Sequence, residues 1–327
     1  MKLLLELSME CESLARSEAV AAAEALGGRP KILHHEPGII VLDTKADPMA
    51  LVRRLGLCHF VSEWLSSCDR DDLEAHAEEI EVEGPIRVRS TKVGEIKVDL
   101  AGVTRLVGGI IGRSKGVDLR HPKSDLRIVF SRKVHIGRLV GAIDRSSFEK
   151  RKNRYMPFFY PASLHPKFAR ALVNLTRVEE DERLLDPFCG TGAILVEADM
   201  VGLEAVGSDL SEKMILGSRR NLDHVRADAT LTVADVGAIM GSIGRVEGIA
   251  TDPPYGKSTS TKGEGISALY GRAFEAFSEV LDHGSYLAMV VPRVALLDEA
   301  DEFDLVETYS LWVHRSLTRH FCVLRRS

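Results

Sequence analysis

The sequence predicts an α/β chain, with a mostly parallel, doubly wound sheet in its C-terminal half and smaller α+β modules before it. Three observations predict this. From Pro166 onward, short apolar strands alternate with helices, the pattern of a sheet wound on both faces. Ahead of that, residues 1–67 read in the order βαββαβ, which suggests a ferredoxin-like unit. The chain has 327 residues, is 45% hydrophobic and 28% charged, and so fits a protein of about two domains or slightly more.

Composition excludes several classes. No apolar run reaches the roughly 18 residues that a membrane span needs. The start, Met1-Lys2-Leu3-Leu4-Leu5-Glu6-Leu7, is charged too soon for a secretory signal and reads as a strand. A cytoplasmic protein with no membrane partner is expected. The five cysteines (Cys11, Cys58, Cys68, Cys189, Cys322) are odd in number and show no CxxC. That argues against a disulfide framework or a zinc site and fits a reducing compartment. The His34-His35 pair has no further ligands nearby, so no metal is expected.

The first module, 1–67, opens with a strand at 3–8. Residues 13–26 are rich in Ala and Glu at helical spacing, and Gly27-Gly28 stops them. Strands at 31–35 and 38–43 pair across a Pro-Gly turn. A helix at 48–55 carries Pro48 in its first turn, with Asp47 as its cap. A last strand falls at 59–65. Nothing in this module reads as catalytic.

The second module, 68–145, begins with a short acidic helix at 69–80 and a strand at 86–90. An amphipathic helix at 99–111 ends near Gly112, and strands follow at 117–119, 126–130 and 133–142. Cations punctuate its turns: Arg113 and Lys115, Arg120 and Lys123, Arg132 and Lys133. The whole chain has net charge −5, yet residues 87–154 hold 18 Lys and Arg against 6 Asp and Glu, an excess of 12. The remainder therefore carries −17. Such asymmetry marks a polyanion-binding surface; the alternative is a set of solvated faces that balance the acidic run 69–83. Loop-borne cations can follow a phosphate backbone without reading bases.

Residues 146–165 read as an inter-domain linker. Arg145, Lys150, Arg151, Lys152 and Arg154 precede Tyr155, Pro157, Phe158, Phe159, Tyr160 and Pro161. The rings are expected to dock the linker on the next domain. Part of the charge, Arg151 and Arg154, is assigned to nucleic acid. The alternative for the rings is stacking on single-stranded bases.

The last module, 166–327, alternates helix 167–175, strand 183–185, helix 193–200, strand 204–208, helix 211–222, strand 230–234, strand 246–251, helix 266–281 and strand 285–291. Strands at 304–313 and 319–324 close it as an antiparallel pair. Ligands on such sheets bind beyond the carboxyl ends of the strands, and acids occupy those ends here. Asp186-Pro187-Phe188-Cys189-Gly190-Thr191-Gly192 follows the first strand, and its glycines let the backbone pass close to a ligand. Asp209, 17 positions after Gly192, fits the acid that bonds ribose hydroxyls. Asp235, one strand later, suits an adenine amine. The turn lacks the GxGxxG form that seats a pyrophosphate, so S-adenosylmethionine fits better than a dinucleotide. At the end of strand 246–251 stands Asp252-Pro253-Pro254-Tyr255. Two prolines stiffen the backbone and supply no N–H. A carboxylate before them and a ring after them suit a planar amine.

With these residues in view, the segment from about Asp144 to Ser327 resembles amino-directed class I methyltransferases. More narrowly, it is similar to the archaeal and eukaryal tRNA guanosine-N2 methyltransferases that modify position 10. The residues carrying the resemblance include Arg154, Pro157, Phe158, Phe159 and Pro161; Pro166-Lys167-Phe168-Ala169-Arg170; Asp186 to Gly192; and Gly207 to Asp209 with Met214, Gly217, Asn221 and Leu222. Thr251 to Gly256 and His314-Arg315-Ser316-Leu317-Thr318-Arg319 complete them. The basic middle resembles a THUMP domain through Val117-Asp118-Leu119 and Pro122.

The resemblance implies a Rossmann-like methyltransferase domain with a mostly parallel seven-stranded sheet, preceded by ferredoxin-like and THUMP domains. It implies S-adenosylmethionine held by Asp186, Phe188, Gly190, Thr191, Gly192, Asp209 and Asp235. Catalysis would fall to Asp252, Pro253, Pro254 and Tyr255: Asp252 and a proline carbonyl accept the guanine N2 hydrogens, and Tyr255 stacks on the flipped base. tRNA is the implied partner, gripped by the basic loops and by Arg315, and the catalytic chain is expected to be a monomer. A small activator subunit is known in relatives, and its need here is left open. Another tRNA guanosine, adenine N6 in RNA, a protein glutamine and a non-catalytic RNA-binding role are the competing readings. The basic middle opposes the protein substrate, and the intact acids oppose the non-catalytic role.

Overall fold

The computed structural model describes residues 1–161, 163–255, 265–315 and 317–327. Gly256 and Ser316, each within a stretch that carries the resemblance, lie outside the described residues. The chain divides into two compact units, Met1–Arg53 with Cys58–Ile143 and Arg54–Leu57 with Asp144–Ser327.

In the first unit the described strands form one seven-stranded sheet. Along the chain they are β1 (Lys2–Leu7), β2 (Lys31–Glu36), β3 (Ile39–Asp43), β4 (Cys58–Cys68), β5 (Ile86–Lys92), β6 (Ser124–Phe130) and β7 (Val134–Ala142). Across the sheet the order is β2-β3-β1-β4-β7-β6-β5. Leu3, Leu4 and Leu5 of β1 are all inaccessible, as a continuous apolar run in a doubly covered strand should be. β4 pairs with β1 on one side and β7 on the other, so one sheet includes residues on both sides of position 67. Four helices accompany the strands: α1 (Glu12–Ala25), α2 (Pro48–Arg54), α3 (Leu73–Glu78) and α4 (Leu100–Lys115). Asp99 caps α4 by accepting from the Gly102 N–H at 2.9 Å, and Gly116, at φ 75°, ends it.

The strand expected at 117–119 is a turn instead. Asp118 accepts from the backbone N–H groups of Arg120 (2.8 Å) and His121 (2.9 Å). That local bonding outcompetes a ladder, and Val117 keeps a single bridge to Ile86.

The second unit also carries seven described strands in one sheet. They are β8 (Arg183–Asp186), β9 (Glu204–Asp209), β10 (Thr230–Val233), β11 (Val246–Thr251), β12 (Leu281–Val291), β13 (Phe303–His314) and β14 (Leu317–Arg326). Their order is β10-β9-β8-β11-β12-β14-β13. Neighbours from β10 through β12 are parallel, and β14 is antiparallel to both β12 and β13. The chain winds outward from β8 through β9 to β10, then crosses back to β11. The reversal therefore lies between β8 and β11, where open α/β sheets bind ligands.

Helices α6 (Pro166–Leu175), α7 (Ala193–Asp199), α8 (Glu212–Val225), α9 (Ile239–Ser242) and α10 (Ile266–Val280) belong to this unit. The core gathers Tyr270, Phe274 and Phe277 of α10 on Ile249, Leu287 and Met289 of the sheet. The expected linker is more ordered than a linker. Asp144 accepts from the Ser146 and Ser147 N–H groups and caps a further helix, α5 (Arg145–Lys150).

Candidate active site

Four carboxylates at strand ends line one cavity of about 700 Å³. Asp186, the last residue of β8, is 1% exposed. Its Oδ1 accepts from the Thr251 hydroxyl at 2.7 Å and from the Phe188 N–H at 3.2 Å. The first bond ties β8 to β11 across the reversal point. Burial pushes the Asp186 carboxyl up to about 7; Asp252 and Asp209 push the same way, while its two hydrogen bonds oppose.

The turn after Asp186 is built for close approach. Gly190 and Gly192 take φ of 51° and 82°, values that favour glycine. A Cβ on Gly192 would lie 2.4 Å from the Ser218 hydroxyl oxygen. The Thr191 hydroxyl sits 2.9 Å from that of Ser163, and the Thr191 carbonyl accepts from Asn221 Nδ2 at 2.9 Å. Phe188, Gly190 and Thr191 line the cavity; Gly192 holds the turn that presents them.

Asp209, at the end of β9, accepts from the Gly190 N–H (3.1 Å) and the Ser211 N–H (2.8 Å). Burial raises its pKa against these bonds. Asp235 follows β10, accepts from the Gly237 N–H at 2.9 Å and meets Arg272 of α10 at 2.6 Å. Arg272 lines the cavity too and went unnoticed in the sequence, because nothing local marks a helix cation as facing an acid 37 positions away.

Asp252 follows β11, with Pro253, Pro254 and Tyr255 beside it in the cavity wall. Its side chain is 16% exposed. The Tyr255 hydroxyl donates to Oδ1 at 2.6 Å, and Arg319 Nη2 of β14 stands 3.9 Å from Oδ2. Burial pushes this carboxyl up to about 6, opposed by the Arg319 charge and the Tyr255 bond. Tyr255, expected to stack on a base, thus has its hydroxyl engaged with the carboxylate.

The expected RNA-binding cations separate into groups. Arg113, Lys115, Arg120 and Lys123 are exposed around the start of β5 and β6: Gly116 O bonds Ile86 N, and Lys123 N bonds Pro85 O. Lys123 is paired with Glu83 at 2.8 Å. Arg132 and Lys133 are exposed in the turn beyond the other end of β6, their N–H groups donating to Glu36 Oε2. Seven residues of strand, roughly 20 Å, divide the two groups. In the second unit, Arg154 and Arg315 are exposed.

Arg151 does not present its charge to solvent, which corrects the surface role expected for it. Its Nε and Nη2 bond Glu197 at 2.8 and 3.1 Å, and Arg170 Nη2 reaches the same carboxylate at 2.7 Å. Glu197 is inaccessible, and without these guanidinium groups its buried charge would be left uncompensated.

Among the described residues, no group of three or more His, Cys, Asp or Glu is placed to hold a metal ion, and no helix is long and apolar enough to cross a membrane.

Comparison with known proteins agrees with this geometry. A family model described as an RMKL-like methyltransferase domain matches residues 153–320. The tRNA (guanine(10)-N2)-dimethyltransferase of Methanothermobacter thermautotrophicus is 34% identical across the full length of both chains. The tRNA (guanine(10)-N2)-dimethyltransferase of Pyrococcus abyssi is 34% identical over 95% of each. Among solved structures, TrmN from Thermus thermophilus superposes over both whole chains with a TM-score of 0.55 at 23% identity, a likeness of fold.

Proposed function

Since the chain belongs to the tRNA guanine-N2 methyltransferases that carry the RMKL-like methyltransferase domain, we propose that it transfers methyl groups from S-adenosylmethionine to the N2 amine of a guanosine in tRNA, at position 10. One or two methyl groups are added to the same nitrogen. The observation that carries this reading is the placing of Asp186 and Asp252 on either side of the sheet's reversal point, opening into one cavity with Asp209.

The residues present fit the cofactor. Two positive-φ glycines bring the backbone up to the cavity, and the acids around it suit a cationic nucleoside with free hydroxyls. Asp209 would hold ribose hydroxyls, Asp235 the adenine amine, and Asp186 with the 187–192 turn the charged amino-acid end. When bound, the cofactor supplies a methyl group already activated on a sulfonium.

The chain's own residues do the rest. Asp252 and a carbonyl of Pro253 or Pro254 accept the two N2 hydrogens, which draws the nitrogen lone pair out of the ring plane. The Tyr255 hydroxyl gives up its bond to Asp252 as the amine arrives, freeing its ring to stack on the extruded base. Extrusion costs a few kcal/mol, offset by these contacts. Asp252 takes the proton that the nitrogen loses. Holding the reacting atoms in line contributes about 7–11 kcal/mol.

Residues 68–145 form the RNA grip, a THUMP domain, after an N-terminal ferredoxin-like domain at 1–67; residues 146–165 lead to the methyltransferase domain at 166–327. The catalytic chain works as a monomer in the cytoplasm, and activity of the isolated chain decides whether a small activator subunit is required. Incubation with labelled cofactor and tRNA, then digestion and nucleoside analysis, is expected to give N2-methylated guanosine, lost when G10 is replaced. Methylated adenine, or no transfer, overturns the proposal.

Two further results are expected. Reversing the charge of Arg113, Lys115, Arg120 and Lys123 weakens tRNA binding and lowers the slope of log affinity against log salt by up to about four; an unchanged slope removes this group from the grip. Burial raises the Asp252 carboxyl, and the Arg319 charge opposes that rise with the Tyr255 hydroxyl helping. Arg319→Gln therefore moves the acidic limb of the rate profile to higher pH, while Arg319→Lys leaves it near its place. Superimposable profiles for Arg319→Gln and the unaltered enzyme exclude the role.

A further inference from the structure

Segment 153–161 divides its aromatic rings between two fates. Phe158 is fixed: its N–H donates to Asn221 Oδ1 (2.8 Å) and its carbonyl accepts from Asn221 Nδ2 (3.0 Å). Its ring fills the space over Gly217, where a Cβ would come within 2.1 Å of it. Asn153 donates to the Tyr160 carbonyl and holds the same stretch from within. This is the docking expected of the linker rings.

Tyr155 and Phe159 do the opposite. Each is 56% exposed, although the backbone on either side is tied down. The Arg154 guanidinium lies 4.7 Å over the Tyr155 ring. Arg154 is exposed in this segment, and Arg145 and Lys150 are exposed on the preceding helix α5 with two exposed acids, its cap Asp144 and Glu149, the latter pairing with Lys152 and facing His165. The next residues in the chain, Tyr160 and Pro161, line the cavity that contains Asp252.

We propose that Tyr155 and Phe159 are a stacking platform for unpaired bases of the RNA substrate, beside the mouth through which the target guanine enters. The proposal rests on the tRNA methyltransferase reading and adds to it a second RNA contact, read through base faces instead of phosphates. Ordered rings left in water next to cations are what single-stranded nucleic acid recognises. Extruding one guanine also unstacks its neighbours and exposes the faces such a platform would take. A protein partner would have less use for the surrounding cations.

The test compares Tyr155→Leu/Phe159→Leu with Tyr155→Phe. Leucine keeps apolar bulk but loses the π face; phenylalanine keeps the face but loses the hydroxyl. Affinities are measured for tRNA and for a single-stranded oligonucleotide, alongside methyl transfer, cofactor affinity and melting temperature. One stacked base corresponds to roughly 5- to 150-fold in affinity. The double leucine variant is expected to lose at least about tenfold toward both RNAs, with melting temperature and cofactor affinity unchanged and Tyr155→Phe close to the unaltered enzyme. If the double variant binds tRNA as tightly as an unaltered enzyme that does methylate it, the platform is overturned and the methyltransferase reading stands. If the unaltered enzyme neither binds nor methylates tRNA, both fall.

Discussion

Asp252→Ala is expected to lower methyl transfer by about 10³-fold or more, while cofactor affinity stays within a few-fold. A positioned proton acceptor contributes about 10²–10⁴ in rate, and this carboxylate also orients the amine. The cofactor-facing acids Asp186, Asp209 and Asp235 keep their hydrogen-bond partners, and only the charge of Asp252 on Asp186 is lost. Equilibrium binding of the cofactor beside single-turnover methylation separates the two effects; lost cofactor affinity would place Asp252 in the wrong role. The pH dependence has a definite sign. Asp252 must be ionised to accept hydrogens, and burial places its pKa near 6. At saturating cofactor the rate should therefore rise through about pH 6 and level off above it.

The second large effect belongs to Asp186→Asn, and it has two opposite parts. Cofactor affinity should fall roughly 10- to 150-fold, the loss of one charge-assisted interaction. Stability should move the other way. The folded pKa of about 7 is raised above the ordinary 3.8. The native state thus prefers the protonated form, whose stabilising contribution is complete below about pH 4 and is lost as pH rises through 7. At pH 8 the buried ionised carboxylate costs a few kcal/mol. Asparagine keeps the oxygen that accepts from Thr251 without that charge. Melting curves at pH 5 and pH 8 should show the variant gaining stability chiefly at pH 8; a parallel shift at both would exclude the titration as the cause.

The acids were legible because each ends a strand, and strand ends in a doubly wound sheet converge whatever the details of packing. Asp186, Asp209 and Asp252 follow from that rule alone. Arg272 was hidden for the converse reason, and Arg319, although it stands in a stretch that carries the resemblance, gave no sign of facing Asp252: they reach the site from α10 and β14, and only tertiary placement aims them. Arg151 misled because a cation in a basic run looks like surface until its partner, inaccessible Glu197, is located. At 117–119 the apolar residues suggested a strand, but the Asp118 side chain bonds its own backbone and makes a turn. The small helix α5 was obscured by its cations, although Asp144 followed by two serines is a sound cap. The split of the basic residues to either end of β6 required the register of β5 and β6.

Glu197 lies between two guanidinium groups, Arg151 from the segment ahead of α6 and Arg170 from α6 itself, both beside Phe148. Anyone grafting this catalytic module onto another RNA-binding front end should therefore keep the segment from Asp144 with it, and replace the bonds that Arg54 makes to Asn174 of α6. A chimera spliced at Pro166 would inherit a carboxylate stripped of one of its two cations and a helix stripped of its cover.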